Sequence, residues 1–275
     1  MNRDEKLELL KKIIKEKESA AVAFSGGVDS TFLLNVSKEV LNDNVIAVTA
    51  KSSTYPEREF KESQENAEKI GAKQIVIESE ELDIPGYKCN PSNRCYYCKH
   101  ELFTKIKKIA EENNVKYIFD GSNADDMNDF RPGMKAAREL GVVSPLKEAG
   151  FTKDDIRFFS KKMGLSTWNK PSFACLSSRI PYGEEITAEK LKMVEKSEEY
   201  LLSLGFKQIR VRHYGKLARI EVGKDERKKF FDTDIMDKVG KKLKEFGFSY
   251  VTLDLLGYRT GSMNETLTLK EKENI

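Results

Sequence analysis

The sequence has no long apolar run and almost no net charge. No apolar stretch reaches the length that spans a bilayer, and residues 1–20 mix charged and apolar residues at helical spacing, unlike a signal peptide. Because 48 basic residues nearly balance 45 acidic ones, no strong field would recruit a nucleic acid or an anionic membrane. We therefore expect a cytoplasmic protein that works without a membrane and without nucleic acid as its partner.

Histidine and cysteine are scarce, which limits the metal sites that this chain can build. The two histidines, His100 and His213, stand alone, and one Cys-x-x-Cys pair, Cys95 and Cys98, lies in the segment RCYYCK. In a reducing compartment the four thiols are expected to act as ligands or reactive groups before disulfides. The pair by itself is compatible with zinc, an iron-sulfur cluster or a redox disulfide, although structural zinc would lack its usual four ligands.

Apolar runs bounded by turn residues alternate with amphipathic stretches through the first half of the chain. The runs AAVAF, NVIAVTA, KQIVIES and VKYIFDGSN predict strands, and STFLLNVSKEVL and PEREFKESQENAEKIG predict helices between them. This order favours a doubly wound α/β domain with a parallel sheet. After about residue 185 the pattern becomes α-β-β-α-β. We predict a doubly wound domain over 1–183 and a smaller α+β domain for substrate binding and association over 184–275.

The segment SGGVDS joins the first predicted strand to a helix. Its glycines, Gly26 and Gly27, let the backbone approach a bound group, and the loop amides with the helix N-terminus form a positive nest for phosphate. The Ser25 and Ser30 hydroxyls add donors, and Asp29 is a candidate Mg²⁺ ligand. A glycine-rich turn with an Asp or Ser cap is the alternative interpretation.

SGGVDS matches the SGGxDS loop of the PP-loop ATP pyrophosphatases, which the first half of the chain resembles. The resemblance implies that the loop holds the pyrophosphate of ATP while the α-phosphate is attacked to give an adenylate. The segment FDGSNADD follows another predicted strand and would lie at the carboxyl edge of the same sheet. Gly121, Ser122, Asn123 and Asp126 are therefore nucleotide-site candidates, although such residues also make a good turn.

Later motifs make the resemblance more specific. RCYYCK, PSFACLSSRIPYG, IRVRHYG and GYRTGSMN follow SGGVDS in this order, and over nearly its whole length the chain resembles the LarE family of ATP-dependent sulfur transferases. Members of that family adenylate a carboxylate of pyridinium-3,5-biscarboxylic acid mononucleotide and make the thiocarboxylate precursor of the nickel-pincer cofactor of lactate racemase. The resemblance implies ATP and Mg²⁺ as cofactors, this pyridinium substrate and a homo-oligomer.

Cys175 falls on the sulfur-handling cysteine of the family, and two routes for the sulfur stay open. In one subgroup this cysteine gives up its own sulfur and becomes dehydroalanine. In another, three cysteines hold a [4Fe-4S] cluster, and we expect Cys95, Cys98 and Cys175 to do so here. One iron would then have no protein ligand and could bind a sulfide supplied by a separate donor. A single cysteine without such a role is most often a buried residue that packs in the core as a small apolar side chain. The pattern assigns no role to Cys89.

Arginines of the second half are candidates for binding the anionic substrate. Arg210 and Arg212 lie two residues apart in a predicted strand and so share a face, which offers two forked donors to phosphate or carboxylate. The resemblance adds Arg179 and Arg259 as substrate ligands and places Arg212 among the catalytic residues. Arg179, four residues after Cys175, is also a partner that favours a thiolate. An exposed polar strand face is the alternative for such arginines, and the lysines are interpreted as solvated helix faces.

Two rival functions fit the nucleotide loop. A PP-loop enzyme that thiolates transfer RNA would share the ATP chemistry and a three-cysteine cluster, but it ought to show a basic RNA-reading face, which the near-neutral charge does not favour. A non-catalytic iron-sulfur or nucleotide-sensing module would bind ATP without releasing pyrophosphate. A tRNA-binding assay separates the first rival from the proposed function, and pyrophosphate release separates the second.

Overall fold

The computed structural model describes residues 1–128 and 133–266 of the 275-residue chain. No helix in these ranges has the length and apolar character needed to cross a membrane. The described residues form two compact units. Unit 1 contains residues 1–80 and 93–173, and unit 2 contains residues 81–92 and the chain from 174 onward.

This division differs from the predicted boundary after residue 183. Residues 174–183 and the distant segment 81–92 both belong to unit 2. A tertiary hydrogen bond joins the two segments, in which the Tyr87 hydroxyl donates to Ser177 Oγ at 2.8 Å. Tyr87 and Ser177 are ninety positions apart in the chain. A contact over that separation cannot be inferred from the local sequence pattern, on which the predicted boundary rested.

Unit 1 is a parallel sheet flanked by helices. Its strands are β1 (Ala20–Ala23), β2 (Val45–Lys51), β3 (Lys73–Glu78) and β4 (Tyr117–Phe119). Its helices are α1 (Arg3–Glu16), α2 (Val28–Leu41), α3 (Glu57–Ile70), α4 (Arg94–Glu112), α5 (Gly133–Glu139), α6 (Pro145–Glu148) and α7 (Lys153–Lys162). The strand order is β3-β2-β1-β4 with parallel pairing throughout. The predicted doubly wound α/β fold is confirmed.

Side chains of β1 alternate between two apolar cores. Ala20 and Val22 pack in one core with Phe32 of α2. Ala21 points the opposite way, into a core with Phe103 of α4. Both faces of the sheet are therefore covered, as a parallel sheet requires. Because β2 and β4 lie on either side of β1, the loops that follow β1 and β4 meet at the carboxyl edge, where open sheets bind ligands.

Unit 2 contains a smaller sheet and two longer helices. Its strands are β5 (Ile209–Tyr214), β6 (Leu217–Val222) and β7 (Tyr250–Leu253), and its helices are α8 (Ala188–Ser203) and α9 (Thr233–Glu245). β5 and β6 are antiparallel, whereas β6 and β7 are parallel. The second, smaller α+β unit is thus present.

Strand β5 alternates between the core and a polar face. Ile209 and Val211 join the apolar core of unit 2. Arg210 and Arg212 point to the other face, as the period of two predicts. They are 7% and 5% exposed, so this is not the exposed polar face that the alternative interpretation required. Buried arginines need carboxylate or carbonyl partners, because an unpaired buried charge is costly.

His213 should make the stability of the protein depend on pH near neutrality. The residue is 3% exposed, and its ring packs against Phe248 with centroids 5.2 Å apart. Burial lowers the pKa of His213, and the charge of Lys190 acts in the same direction. As pH falls, the unfolded chain therefore takes up this proton first, and stability decreases below about pH 6.5.

We expect His213→Phe to make the unfolding free energy depend less steeply on pH between about pH 5 and 7. The slope should fall by up to the amount that corresponds to one bound proton, measured by urea denaturation at several pH values. His100 is exposed, so His100→Phe is a matched control that should keep the wild-type slope. An unchanged slope in the His213 variant would show that another group titrates in this range.

Candidate functional site

The SGGVDS loop connects β1 to α2 and passes unusually close to α3. Gly26 has a φ of +62°, and a Cβ built on it would lie 2.8 Å from Ser63 Cβ. Only glycine allows both the left-handed backbone and this approach. Gly27 is the N-cap of α2, so the amides of the first turn face the loop. The Ser25 and Ser30 hydroxyl oxygens lie 3.3 Å apart at its base. The loop thus has the form that a phosphate cradle needs.

Asp29 in the first turn of α2 is a half-buried carboxylate with one unused oxygen. Lys153 Nζ donates to Oδ2, whereas Oδ1 is buried and accepts no hydrogen bond from the described residues. Burial raises the pKa of Asp29; Lys153 opposes this shift, and the nearby charge of Asp126 adds to it. A buried, unpartnered carboxylate oxygen beside a second carboxylate fits the oxygen ligands that Mg²⁺ prefers.

The loop after β4 lies directly against this turn. A Cβ on Gly121 would be 3.2 Å from both Asp29 Cβ and Ser30 N, so the two predicted segments do come together. Asp120 supports the loop, since Ser122 Oγ donates to its carboxylate at 2.7 Å. The structure places Gly121 at the SGGVDS loop and gives the Ser122 hydroxyl a partner within its own loop.

Asn123 and Asp126 also make internal contacts in the loop after β4. The backbone N–H of Asn123 donates to Asp126 Oδ2 at 3.0 Å, and the side-chain Oδ1 of Asn123 accepts from the backbone N–H of Asp125 at 3.0 Å. Asp125 Oδ2 in turn accepts from the Lys153 amide at 2.7 Å, which ties the loop to the start of α7. These contacts fix the loop, and direct nucleotide contacts of the two predicted residues stay a prediction.

Cations beside the SGGVDS loop were missed by the sequence analysis, which assigned the lysines to solvated helix faces. Besides Lys153, the α7 residue Arg157 donates to the carbonyl oxygens of Trp168 and Lys170, both at 2.7 Å. Lys170 Nζ then donates to the Gly26 carbonyl oxygen at 3.3 Å. The spacing of Lys153 and Arg157 by four residues signals a shared helix face, but nothing local connects Lys170 to the loop.

Tyr55 supports the same loop from the other side. Its hydroxyl lies 2.8 Å from the Ser25 carbonyl oxygen and 3.0 Å from the Glu59 carbonyl oxygen. Burial raises the pKa of Tyr55, with the charge of Glu59 contributing, so the hydroxyl stays protonated and can donate. Its ring meets Phe173 edge-on at 6.4 Å. Periodicity in the sequence gave no signal for this role.

In unit 2, Arg179 is wholly buried and holds the peptide that follows Cys175. Its Nε and Nη2 donate to the two carboxylate oxygens of Glu198, each at 2.9 Å. Its Nη1 donates to the Cys175 carbonyl oxygen at 3.0 Å. Burial alone would raise the pKa of Glu198, but the Arg179 charge holds it below the ordinary value. These contacts support a positioning role for Arg179, and direct substrate binding by it stays a prediction.

Arg212 belongs to a second buried charge cluster in unit 2. Its Nη2 donates to Glu221 Oε2 at 2.8 Å and to Ser262 Oγ at 3.0 Å, and its Nη1 donates to the Ser178 carbonyl oxygen at 2.9 Å. Its Nε is buried and donates to no described residue. Arg219, opposite Arg212 on β6, donates to the other oxygen of Glu221 at 2.8 Å. Sequence analysis did not identify Arg219 or the shared carboxylate.

Arg210 and Arg259 have different surroundings. Arg210 lies over the Tyr258 ring at 5.1 Å, and burial, together with the charge of Arg179, lowers its pKa to about 10. Arg259 is more exposed and contacts Asp254 at 3.4 Å and Glu265 at 3.3 Å. The four predicted arginines therefore all lie in unit 2, but three of them are buried.

The cysteines are divided between the two units. Cys95 and Cys98 lie in the first turns of α4 in unit 1, whereas Cys175 and the exposed Cys89 lie in unit 2. All four are in the described residues, and none forms a disulfide. Within the described ranges no three His, Cys, Asp or Glu side chains are grouped so that they could hold a metal ion. The three-cysteine [4Fe-4S] site therefore stays a prediction.

Comparisons with known proteins give relatives that extend over both units. A family profile described as NAD synthase matches residues 4–115. The pyridinium-3,5-bisthiocarboxylic acid mononucleotide synthase of Lactiplantibacillus plantarum is 40% identical over 93% of this chain and 92% of its own length. Uncharacterized proteins of Synechocystis sp. and Methanocaldococcus jannaschii are 43% and 31% identical, over 96% and 93% of this chain and 99% and 98% of their own lengths.

The matched residues include the SGGVDS loop and, for the full-length relatives, unit 2. The NAD synthase match covers the SGGVDS loop and the first three strands, and the Lactiplantibacillus plantarum synthase is similar through unit 2 as well. The chain therefore belongs to the LarE family of ATP-dependent sulfur transferases, within the PP-loop ATP pyrophosphatase superfamily.

Proposed function

We propose that this protein adenylates a carboxylate of pyridinium-3,5-biscarboxylic acid mononucleotide and converts it to a thiocarboxylate for the nickel-pincer cofactor of lactate racemase. The observation that carries the proposal is the buried, unpartnered Oδ1 of Asp29 directly after the two glycines of the loop, in a chain 40% identical to a synthase of the bisthiocarboxylic product. A homo-oligomer and a separate sulfide donor remain predictions from the family resemblance.

The ATP step uses the loop of unit 1. The first-turn amides of α2 and the Ser25 and Ser30 hydroxyls are donors for the oxygens of the pyrophosphate. Asp29 would hold Mg²⁺ through its unpartnered Oδ1, and the ion would stabilise the charge that develops on the leaving pyrophosphate. Lys153 contacts Oδ2, the other carboxylate oxygen of Asp29, and its flexible side chain can turn from there to a phosphate oxygen when ATP binds.

Asp29→Asn should reduce pyrophosphate release by roughly 100-fold or more, because metal ligation supplies several kcal/mol of charge stabilisation. The products, separated by chromatography, should be AMP and pyrophosphate. Asp43→Asn removes an exposed carboxylate that pairs with Lys38 beyond the other end of α2 and should leave the rate unchanged. ADP and phosphate as main products would refute adenylation.

The substrate step is proposed for the arginines of unit 2. Arg212 is held by Glu221 and Ser262 in one orientation, while its Nε keeps a donor that no described residue uses. A preorganised guanidinium loses little entropy when it binds a phosphate or carboxylate. The charge of Arg210 stands beside it on the same strand face.

Arg212→Ala should raise the KM for the pyridinium substrate and leave the affinity for ATP nearly intact. One charge-assisted contact is worth roughly 1.5–3 kcal/mol, so we expect a change of about tenfold to a hundredfold. Arg227→Ala is a control in the same unit, because Arg227 donates to the Lys224 carbonyl oxygen and should leave both constants unchanged. Full substrate affinity in the Arg212 variant would assign unit 2 another task.

Two routes are proposed for the sulfur. Thiolates of Cys95, Cys98 and Cys175 are suitable donors for a [4Fe-4S] cluster, but no described triad of such side chains is grouped to hold a metal. In the alternative route, Cys175 itself supplies the sulfur. Its thiolate attacks the adenylated carbonyl and displaces AMP. Loss of the Cα proton with cleavage of the Cβ–S bond then leaves a thiocarboxylate on the substrate and dehydroalanine at position 175.

Iron and sulfide analysis after anaerobic purification, followed by mass spectrometry after turnover, separates these routes. The cluster route predicts bound iron that is lost in Cys95→Ser and Cys98→Ser, whereas Cys89→Ser, the matched control, keeps it. The sacrificial route predicts iron-free protein that becomes lighter by the mass of hydrogen sulfide, with the first turnover intact in the Cys95 and Cys98 variants. Transfer of sulfur by Cys175→Ser would contradict both.

A further inference from the structure

A cluster of four charged side chains borders the SGGVDS loop and has no part in the steps proposed above. Lys170 Nζ lies 2.6 Å from Glu59 Oε2 and 2.6 Å from Glu62 Oε2. Arg58 Nη2 lies 2.7 Å from Glu59 Oε1. The two carboxylates and two cations, all from unit 1, thus balance in charge, and we refer to them as the Lys170 cluster.

The ammonium of this cluster touches the nucleotide loop. Lys170 Nζ donates to the carbonyl oxygen of Gly26 at 3.3 Å, and the Lys170 side chain is only 13% exposed. Gly26 is the residue at which the loop takes its left-handed turn. The third contact of the ammonium is therefore with the segment proposed to hold pyrophosphate.

Two carboxylates are poor neighbours for a pyrophosphate loop, because like charges at short distance repel strongly in a partly buried site. Arg58 pairs with Glu59, but Glu62 depends more on Lys170, since its contact with Arg58 is 3.7 Å long. The Glu62 side chain is also 41% exposed, whereas Glu59 is 2% exposed. Glu62 can therefore release Lys170 and turn to water at little cost, while Glu59 stays paired.

The backbone of Lys170 is fixed while its ammonium can reorient. Arg157 donates to the carbonyl oxygens of Trp168 and Lys170, so one α7 side chain anchors this segment. The ammonium stands at the end of a flexible four-carbon chain with three rotatable donors. A small rotation exchanges one oxygen partner for another without any movement of the backbone.

We propose that Lys170 is a phosphate-binding residue of the ATP site, held by Glu59 and Glu62 and transferred to the nucleotide. When ATP occupies the loop, the ammonium keeps Glu59 and exchanges Glu62 for an oxygen of the β- or γ-phosphate. This inference rests on the proposed function, because it assumes that the loop binds pyrophosphate. No bond is made or broken; one ionic contact replaces another.

Binding of ATP and of inorganic pyrophosphate, measured by titration calorimetry, tests the proposal. Lys170→Met should weaken both by roughly tenfold to a hundredfold, which is the loss of one charge-assisted contact. Lys170→Arg should restore part of the affinity, because it keeps the charge. Glu62→Gln should tighten both, because it removes the competing carboxylate. Lys11→Met, which breaks an ion pair with Glu39, is the matched control and should bind as the wild type does.

The double variant Glu62→Gln/Lys170→Met distinguishes contact from simple charge balance. It has the same net charge as the wild type and leaves Glu59 paired with Arg58, so it should keep its fold. If Lys170 contacts phosphate, the double variant recovers only the part of the loss that comes from the unpaired Glu62 and still binds more weakly than the wild type. Wild-type affinity in the double variant would overturn the proposal, because Lys170 would then only offset Glu62.

The pyrophosphate titration needs no pyridinium substrate, and so it separates failures of the two proposals. If the wild type binds pyrophosphate but never releases it from ATP with the pyridinium substrate, the proposed reaction is wrong and the role of Lys170 is still decided by its variants. If the wild type binds neither ATP nor pyrophosphate, both proposals are wrong.

Discussion

The candidate nucleotide site depends on two glycines that let backbone segments pack closely: Gly26 against α3, and Gly121 against the first turn of α2. Gly26 passes so close to α3 that a methyl group on it would lie 2.8 Å from Ser63 Cβ, and a methyl group on Gly121 would lie 3.2 Å from the Ser30 amide nitrogen. These contacts bring the β1 loop, the β4 loop and α3 to one point at the carboxyl edge of the sheet. Every donor proposed for phosphate depends on them, because a larger residue would move the loop away from its supports.

In each unit, the cations proposed to bind ligands are paired with carboxylates before any ligand binds. Asp29 contacts Lys153, Glu62 contacts Lys170, and the Arg212 guanidinium contacts a buried carboxylate in unit 2. A buried ion left unpaired costs several kcal/mol, so each cation proposed to bind a ligand needs a carboxylate partner in the free protein. The structure therefore favours ligand binding by exchange of ionic partners, in which the carboxylate sets how readily the cation is released.

Local patterns predicted the parts of the structure that local physics determines. The alternation of β5 placed Arg210 and Arg212 on one face, and the strand-loop-helix order placed Gly26 at the sheet edge. Lys170 could not be found in this way, because 144 residues separate it from the carbonyl it contacts. The unit boundary and the partners of the arginines depend likewise on long-range packing. The iron-sulfur prediction came from resemblance, and the described residues do not group its ligands.

In unit 2 the Cys175 segment, proposed to handle sulfur, and the arginines proposed to bind the substrate share one hydrogen-bond network. Glu198 holds Arg179 beside the Cys175 carbonyl, and the same carboxylate accepts from the Val211 amide of β5 at 2.9 Å. Arg212, the next residue on that strand, donates back to the carbonyl of Ser178 in the turn that follows the cysteine. The position of the thiol is thus coupled to the orientation of Arg212. Arg179 is therefore expected to act on sulfur transfer through position, even though its guanidinium is closed to solvent.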